Sequence, residues 1–126
     1  MRESVPATVT ISVDTKRYGI RIHKVLFRQL GEPKYIQLLV NPAERVVAIK
    51  TVEFERSASQ THRIDEKRMH SEHSYEIYSR SFICRLREVE PGIADGAVYR
   101  IAGVIVPSQN MAIFSLKTMK RMDRPE

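Results

Sequence analysis

A strand, a helix and a two-stranded hairpin follow one another between Tyr18 and Lys50, and the same order returns between Tyr75 and Leu116. This doubled order limits the possible folds more than any single motif does. In the first pass Tyr18-Gly-Ile-Arg-Ile22 reads as a strand and His23 to Leu30 as a helix. Tyr35 to Val40 and Val46 to Lys50 read as strands turning at Asn41-Pro42-Ala43-Glu44. Gly31 supplies the left-handed residue that ends a helix, and Pro33 bars its continuation. In the second pass Tyr75 to Tyr78 is a strand, and Ser79 caps a helix with the apolar stripe Phe82, Ile83, Leu86 and Val89, stopped by Pro91-Gly92. Val98 to Val106 and Met111 to Leu116 are the strands of a second hairpin, and Gly103 marks a bulge or a place where another backbone comes close.

Ahead of both passes, Ala7 to Asp14 alternates apolar and polar residues, the pattern of a half-buried strand. The expected fold class is therefore α+β, with two strand-helix-strand-strand halves packed as one domain and an extra N-terminal strand. Residues 7–52 form the first half, 53–73 a polar connector, 74–118 the second half and 119–126 a frayed tail, in a single domain over 1–126. The runs Tyr35 to Val40 and Val46 to Ile49 are apolar at nearly every position, so both faces of these strands are expected to be covered. Placing Leu30 on Leu86 matches Leu26 with Phe82 and Phe27 with Ile83. Placing Lys50 on Lys117 matches Ile49-Lys-Thr-Val52 with Leu116-Lys-Thr-Met119. Two such halves, each too small to cover its own sheet, would bury a shared core.

Charge gives the functional lead. The chain of 126 residues carries a formal charge of +6, so an acidic partner is expected, and nucleic acid fits because neutralising phosphates releases condensed counterions. The basic residues ahead of and along the first helix, Lys16, Arg17, Arg21, Lys24 and Arg28, are the candidate phosphate contacts. Lys24 and Arg28 are four residues apart on one helical face, where like charges repel and add nothing to stability. The expected activity is that of a non-enzymatic nucleic-acid-binding accessory or transcription-regulator-like protein. The alternative is a protein-interaction or assembly module that uses its apolar hairpins to form a homodimer.

Other chemistries lack the residues they need. His62, His70 and His73, with Glu72, lie in the polar connector without the spacing of a zinc site, so no metal and no cofactor is expected. Cys84 sits opposite the apolar stripe of its helix with no local histidine base, and no nucleophile and base converge elsewhere, so no catalytic residue and no small-molecule ligand is assigned. One cysteine cannot form an internal bridge, and no apolar run approaches the roughly 18 residues of a membrane span. A cytoplasmic protein without a membrane partner is expected.

Across Ile20-Arg-Ile22-His23-Lys24-Val-Leu26-Phe-Arg-Gln-Leu30-Gly31 the chain resembles the AbrB-like swapped-hairpin DNA-binding modules. Their pattern is a glycine-arginine start, two spaced isoleucines, proline-lysine, a leucine and a terminal leucine-glycine. Ile20, Ile22, Lys24, Leu26, Leu30 and Gly31 match it; His23 stands in place of the proline and Gly19-Ile20 in place of the glycine-arginine. The doubled plan is similar to the MraZ-like branch, in which two modules share a chain, although the second half does not carry the pattern. The resemblance implies that a dimer, or the paired modules, presents basic residues of the early strands and loop to DNA. The corresponding positions here are Lys16, Arg17 and Arg21. The chain also looks like small proteins of Gram-positive bacteria, a likeness that implies no function.

Overall fold

The structure, a computed structural model, describes residues 8–53, 61–65 and 74–122. Among these residues nine strands form one antiparallel sheet: β1 (Thr8–Asp14), β2 (Gly19–His23), β3 (Tyr35–Asn41), β4 (Val46–Val52), β5 (Thr61–Arg63), β6 (Ser74–Tyr78), β7 (Val98–Val106), β8 (Met111–Ser115) and β9 (Lys120–Arg121). Helix α1 (Lys24–Gln29) follows β2, and helix α2 (Arg80–Val89) follows β6. The spatial order is β5-β3-β4-β8-β7-β1-β2-β6, with β9 beside the first part of β7. The sheet curls into a half-barrel with the apolar core inside.

This corrects the expected α+β fold of two packed strand-helix-strand-strand halves. The halves do not close separate sheets. Strand β2 pairs with β6, β4 with β8 and β1 with β7, so strands of the two halves alternate in one hydrogen-bonded layer. Among the described residues only α2 is a helix of substance, because α1 stops after six residues, below the length at which a helix holds itself. Its role is local: Leu26 and Phe27 are buried beneath it, and Gly31 takes the left-handed φ of 87° that turns the chain toward β3. Ser79 caps α2 by accepting a hydrogen bond from the Phe82 N–H (3.2 Å), and Phe82, Ile83 and Leu86 enter the core. Each of these large apolar side chains contributes about 1.5–3 kcal/mol by leaving water.

Three further expectations change. Strands β3 and β4 are apolar at most positions yet bury one face only: Ile36, Leu38, Val47 and Ile49 point inward, while Leu39 is 36% exposed. The polar connector contains a strand, since Thr61–Arg63 pairs with β3; His70, Glu72 and His73 lie outside the described residues. The tail is anchored rather than frayed as far as Met122. Lys120 and Arg121 pair with Arg100 and Tyr99, and the Met122 N–H donates to the Val98 carbonyl (2.7 Å).

The hydrogen bonds between β4 and β8 are reciprocal. Arg45 and Asn110, each just ahead of its strand, take left-handed φ values of 57° and 54°. The Leu116 N–H donates to the Arg45 carbonyl and the Thr51 N–H to the Asn110 carbonyl, both at 2.9 Å, with Ala48 opposite Ile113 at the centre. This equivalence sets Lys50 against Ser115 rather than Lys117, a shift from the sequence alignment of the halves. A similar relation links the Thr15 N–H, which donates to the Ala97 carbonyl (3.0 Å), with the Ile64 N–H, which donates to the Lys34 carbonyl (2.8 Å). By that relation β5 stands to β3 as β1 stands to β7. His62 then occupies the place that buried Val13 holds in β1.

Gly103 pairs with Phe114 where β7 meets β8. A Cβ built there would lie 2.3 Å from the Ile113 carbonyl oxygen and 2.5 Å from the Phe114 ring, so the close backbone approach expected of this glycine is present. Gly103→Ala is expected to destabilise the fold by about 1–3 kcal/mol, because the obstructing carbonyl cannot retreat without breaking the ladder. The check is the midpoint of urea unfolding, and an unchanged midpoint would show that β7 and β8 separate without cost.

Candidate nucleic-acid interface

Alternation decides which side chains reach the outer surface of the sheet. In β2, Ile20 and Ile22 are buried and Arg21 between them is exposed; in β7, Tyr99 and Ile101 are buried and Arg100 between them is exposed. The pairing then aligns them. Lys120 lies opposite Arg100, Arg100 opposite Ser12, Ser12 opposite Arg21, and Arg21 opposite Glu76. At about 4.8 Å between strands, Lys120, Arg100 and Arg21 span roughly 14 Å in one row across the outer face.

Lys16 and Arg17 stand at the edge of this row, on the turn from β1 to β2, and both are exposed. The turn is rigid. Asp14 Oδ1 accepts hydrogen bonds from the N–H groups of Lys16 (3.0 Å) and Arg17 (3.2 Å). Thr15 is buried, and its hydroxyl donates to the carbonyl of Ala97 (2.8 Å). A shallow groove of about 190 Å³ lies beside the turn, lined by Ser12, Asp14, Gly19, Arg21, Glu76 and Val98.

The acids on this face are engaged locally. Asp14 is committed to the turn. Glu76, with a side chain only 6% exposed, lies 3.7 Å from the Arg21 guanidinium and accepts a hydrogen bond from the Tyr78 hydroxyl (3.0 Å). That bond to a carboxylate, with a smaller share from burial, raises the Tyr78 pKa above its usual value and keeps the phenol neutral. The Arg21–Glu76 pair is exposed on its arginine side, where such pairs contribute little to stability.

Of the five basic residues singled out in the sequence, the structure brings Lys16, Arg17 and Arg21 together. Lys24 and Arg28 are not on the strands of this face: they belong to helix α1, which follows the end of β2 away from the turn that carries Lys16 and Arg17. Arg100 and Lys120 were missed. Arg100 was legible from its position between Tyr99 and Ile101, whereas Lys120 is set in place only by the pairing of β9, which no pattern in the tail announces.

A second recess of about 290 Å³ separates the end strands of the sheet and is lined by Thr61, His62 and Arg63 of β5 and Tyr75 to Tyr78 of β6. The Tyr75 hydroxyl crosses it, accepting from the Asp65 N–H (3.1 Å) and donating to the Arg63 carbonyl (3.3 Å). Among the described residues no group of three or more His, Cys, Asp or Glu side chains is placed to hold a metal ion. No helix among them is long and apolar enough to cross a membrane. No family model, curated protein or solved structure matches the chain.

Burial in the recess lowers the pKa of His62 below 6.5. The folded state thus binds this proton less readily than the unfolded chain. The contribution of neutral His62 is complete above about pH 6.5 and is lost as the pH falls toward the lower folded-state value. Urea midpoints measured from pH 7.5 down to 5 are expected to fall less steeply for His62→Gln than for the wild type; parallel profiles would remove His62 as a source of acid sensitivity.

Proposed function

We propose that this chain is a non-enzymatic nucleic-acid-binding protein whose outer sheet face holds phosphates through Arg21, Arg100 and Lys120, with Lys16 and Arg17 at its edge. The observation behind this reading is the cross-strand row of cations on a hydrogen-bonded sheet. A sheet fixes the spacing of such charges, so binding phosphates costs less ordering than it would with cations on loops. The excess of positive charge over the whole chain supports it, as does the resemblance of Ile20 to Gly31 to swapped-hairpin DNA-binding modules. Phosphate contacts of this kind position a protein without reading sequence, which suits an accessory or transcription-regulator-like role. A cytoplasmic setting belongs to the same reading, because the one thiol, Cys84, is exposed and unpaired.

Three to five phosphate contacts give a slope of log affinity against log salt of roughly −2 to −4.5. Arg100→Ala is expected to weaken binding and to reduce the steepness by about one, while Arg28→Ala leaves both unchanged. Fluorescence anisotropy with labelled oligonucleotides at several salt concentrations measures this. Absence of binding at low salt, or equal effects of the two variants, would overturn the assignment.

A homodimer is the second reading, and a separate feature favours it. Leu39, Ala48, Ile113 and Val104 lie opposite one another on β3, β4, β8 and β7 and form an apolar row on the outer surface, with Leu39 36% and Val104 41% exposed. A second copy is a suitable occupant, because two-fold association sets the same patch against itself. Sedimentation velocity is expected to show a concentration-dependent dimer that Val104→Lys abolishes. A wild-type monomer at all concentrations would exclude this interface.

A further inference from the structure

We infer that the basic face takes single-stranded rather than duplex nucleic acid, with Tyr78 as a shelf on which an unpaired base stacks. The inference rests on the nucleic-acid reading above and narrows it to one form of the polymer. Tyr78 lies opposite Gly19 on the neighbouring strand. Because Gly19 has no side chain, the phenol ring lies against the β2 backbone: a Cβ built on Gly19 would come within 3.3 Å of it. The ring is nonetheless 50% exposed. The Cδ1–Cε1 edge of the ring is thus packed at the β2 backbone while half of the residue is exposed, which leaves aromatic surface on which a base can stack.

The surroundings have the composition such platforms need. Arg21 is on the same outward face of β2, two positions along from Gly19, and Arg17 is on the adjoining turn; both lie close enough to act electrostatically on the Tyr78 hydroxyl. Arg80 is placed over the Tyr18 ring, 4.8 Å from its centroid, and the Ser79 N–H donates to the Tyr18 carbonyl (2.9 Å), which ties this stacked pair to the residue following Tyr78. Tyr18 itself has a φ of 57°, rare for an aromatic residue, although Gly19 beside it would take that conformation without strain. The Tyr18 ring packs on the core side of the sheet, so this pair holds the start of β2 to the start of α2, next to the end of β6 that carries the shelf. The hydrogen bond to Glu76 fixes the far end of the Tyr78 ring.

The shape of the sheet separates the two forms of nucleic acid. Arg21, Arg100 and Lys120 follow one another across the strands, around the convex outside of a curled sheet. A duplex, stiff over about 150 base pairs, touches a convex surface along a narrow line. A single strand bends with the surface, reaching the row of cations with its phosphates and the Tyr78 ring with a base. Bases in a duplex are stacked on one another and do not offer a face to the shelf.

The test is fluorescence anisotropy at fixed low salt with a labelled oligothymidylate and a labelled duplex of the same length, using wild type, Tyr78→Ala, Tyr78→Phe and Arg100→Ala. The wild type is expected to bind the single strand more tightly than the duplex. Tyr78→Ala should weaken the single-strand complex by roughly 5- to 150-fold, with a much smaller effect on the duplex, and Tyr78→Phe should bind like wild type because the ring remains. If Arg100→Ala weakens binding while Tyr78→Ala does not, or if the duplex binds more tightly, the basic face stands and the stacking inference falls. If wild type binds neither probe, both fall. Circular dichroism of Tyr78→Ala at the assay temperature confirms that the variant is folded.

Discussion

The antiparallel contact between β4 and β8 holds the two halves of this chain in one sheet. Each strand belongs to a hairpin that would expose half its backbone groups without the other, and an isolated hairpin is marginal in water. The two left-handed residues Arg45 and Asn110 flank the pairing, because each directs its carbonyl to an N–H near the end of the opposite strand, Leu116 just past β8 and Thr51 in the last part of β4. At the other end of the sheet, β2 and β6 repeat the arrangement around Arg21 and Glu76. With these contacts made and β1 paired with β7 between them, a continuous inner face receives Leu26 and Phe27 from α1 and Phe82, Ile83 and Leu86 from α2. The helices close a core that the strands have already shaped.

Once the inner face is fixed, the period of two leaves every other residue outside, and these residues sort by position. Along β7 the outward residues run from Arg100 through Ala102 to Val104, from the basic row into the apolar row. The two surfaces therefore share a strand without sharing residues. A dimer formed through Leu39 and Val104 would leave Arg21, Arg100 and Lys120 available in both copies, so association and nucleic-acid binding are compatible on this scaffold.

Individual strands, caps and turns were legible in the sequence because they are encoded locally, whereas the fold class was not. The alternation from Thr8 to Asp14, the cap at Ser79, the stop at Gly31 and the close approach at Gly103 all appear where their residues indicated. The sheet order was not legible, since no local pattern in β2 or β4 states that its partner belongs to the other half. The apolar runs of β3 and β4 misled for a related reason: residues such as Ala48 and Leu39 are apolar on an outer face, and composition does not distinguish an uncovered apolar face from a covered one. The same limit applied to the candidate site. The sequence put Lys24 and Arg28 with Arg21, but they belong to helix α1 and not to the strands of the basic row, and the cations aligned with Arg21 come from β7 and β9, far along the chain.

The relation between β1 and β5 explains where the sheet stays open. Strand β1 pairs along its length with β7 and over four positions with β2, whereas β5 pairs with β3 over three positions and meets β6 across a recess. Two sequence differences account for this. The apolar Val13 of β1 is answered in β5 by His62, whose ring gains less from burial and resists charging there. Tyr75, equivalent in burial to Ile20 and Ile22 of β2, extends a hydroxyl that satisfies backbone groups at Arg63 and Asp65. A phenol reaches farther than a ladder bond, so it joins the two end strands while keeping them apart. Tyr78, three residues later on β6, belongs to the end strand of a sheet whose edge is spanned by a side chain, and its ring is supported from one side by Gly19. A further strand paired beside β6 would bring a neighbouring side chain over that ring, as Gly19 does not. The exposure of the shelf and the opening of the sheet thus follow from the same incomplete closure.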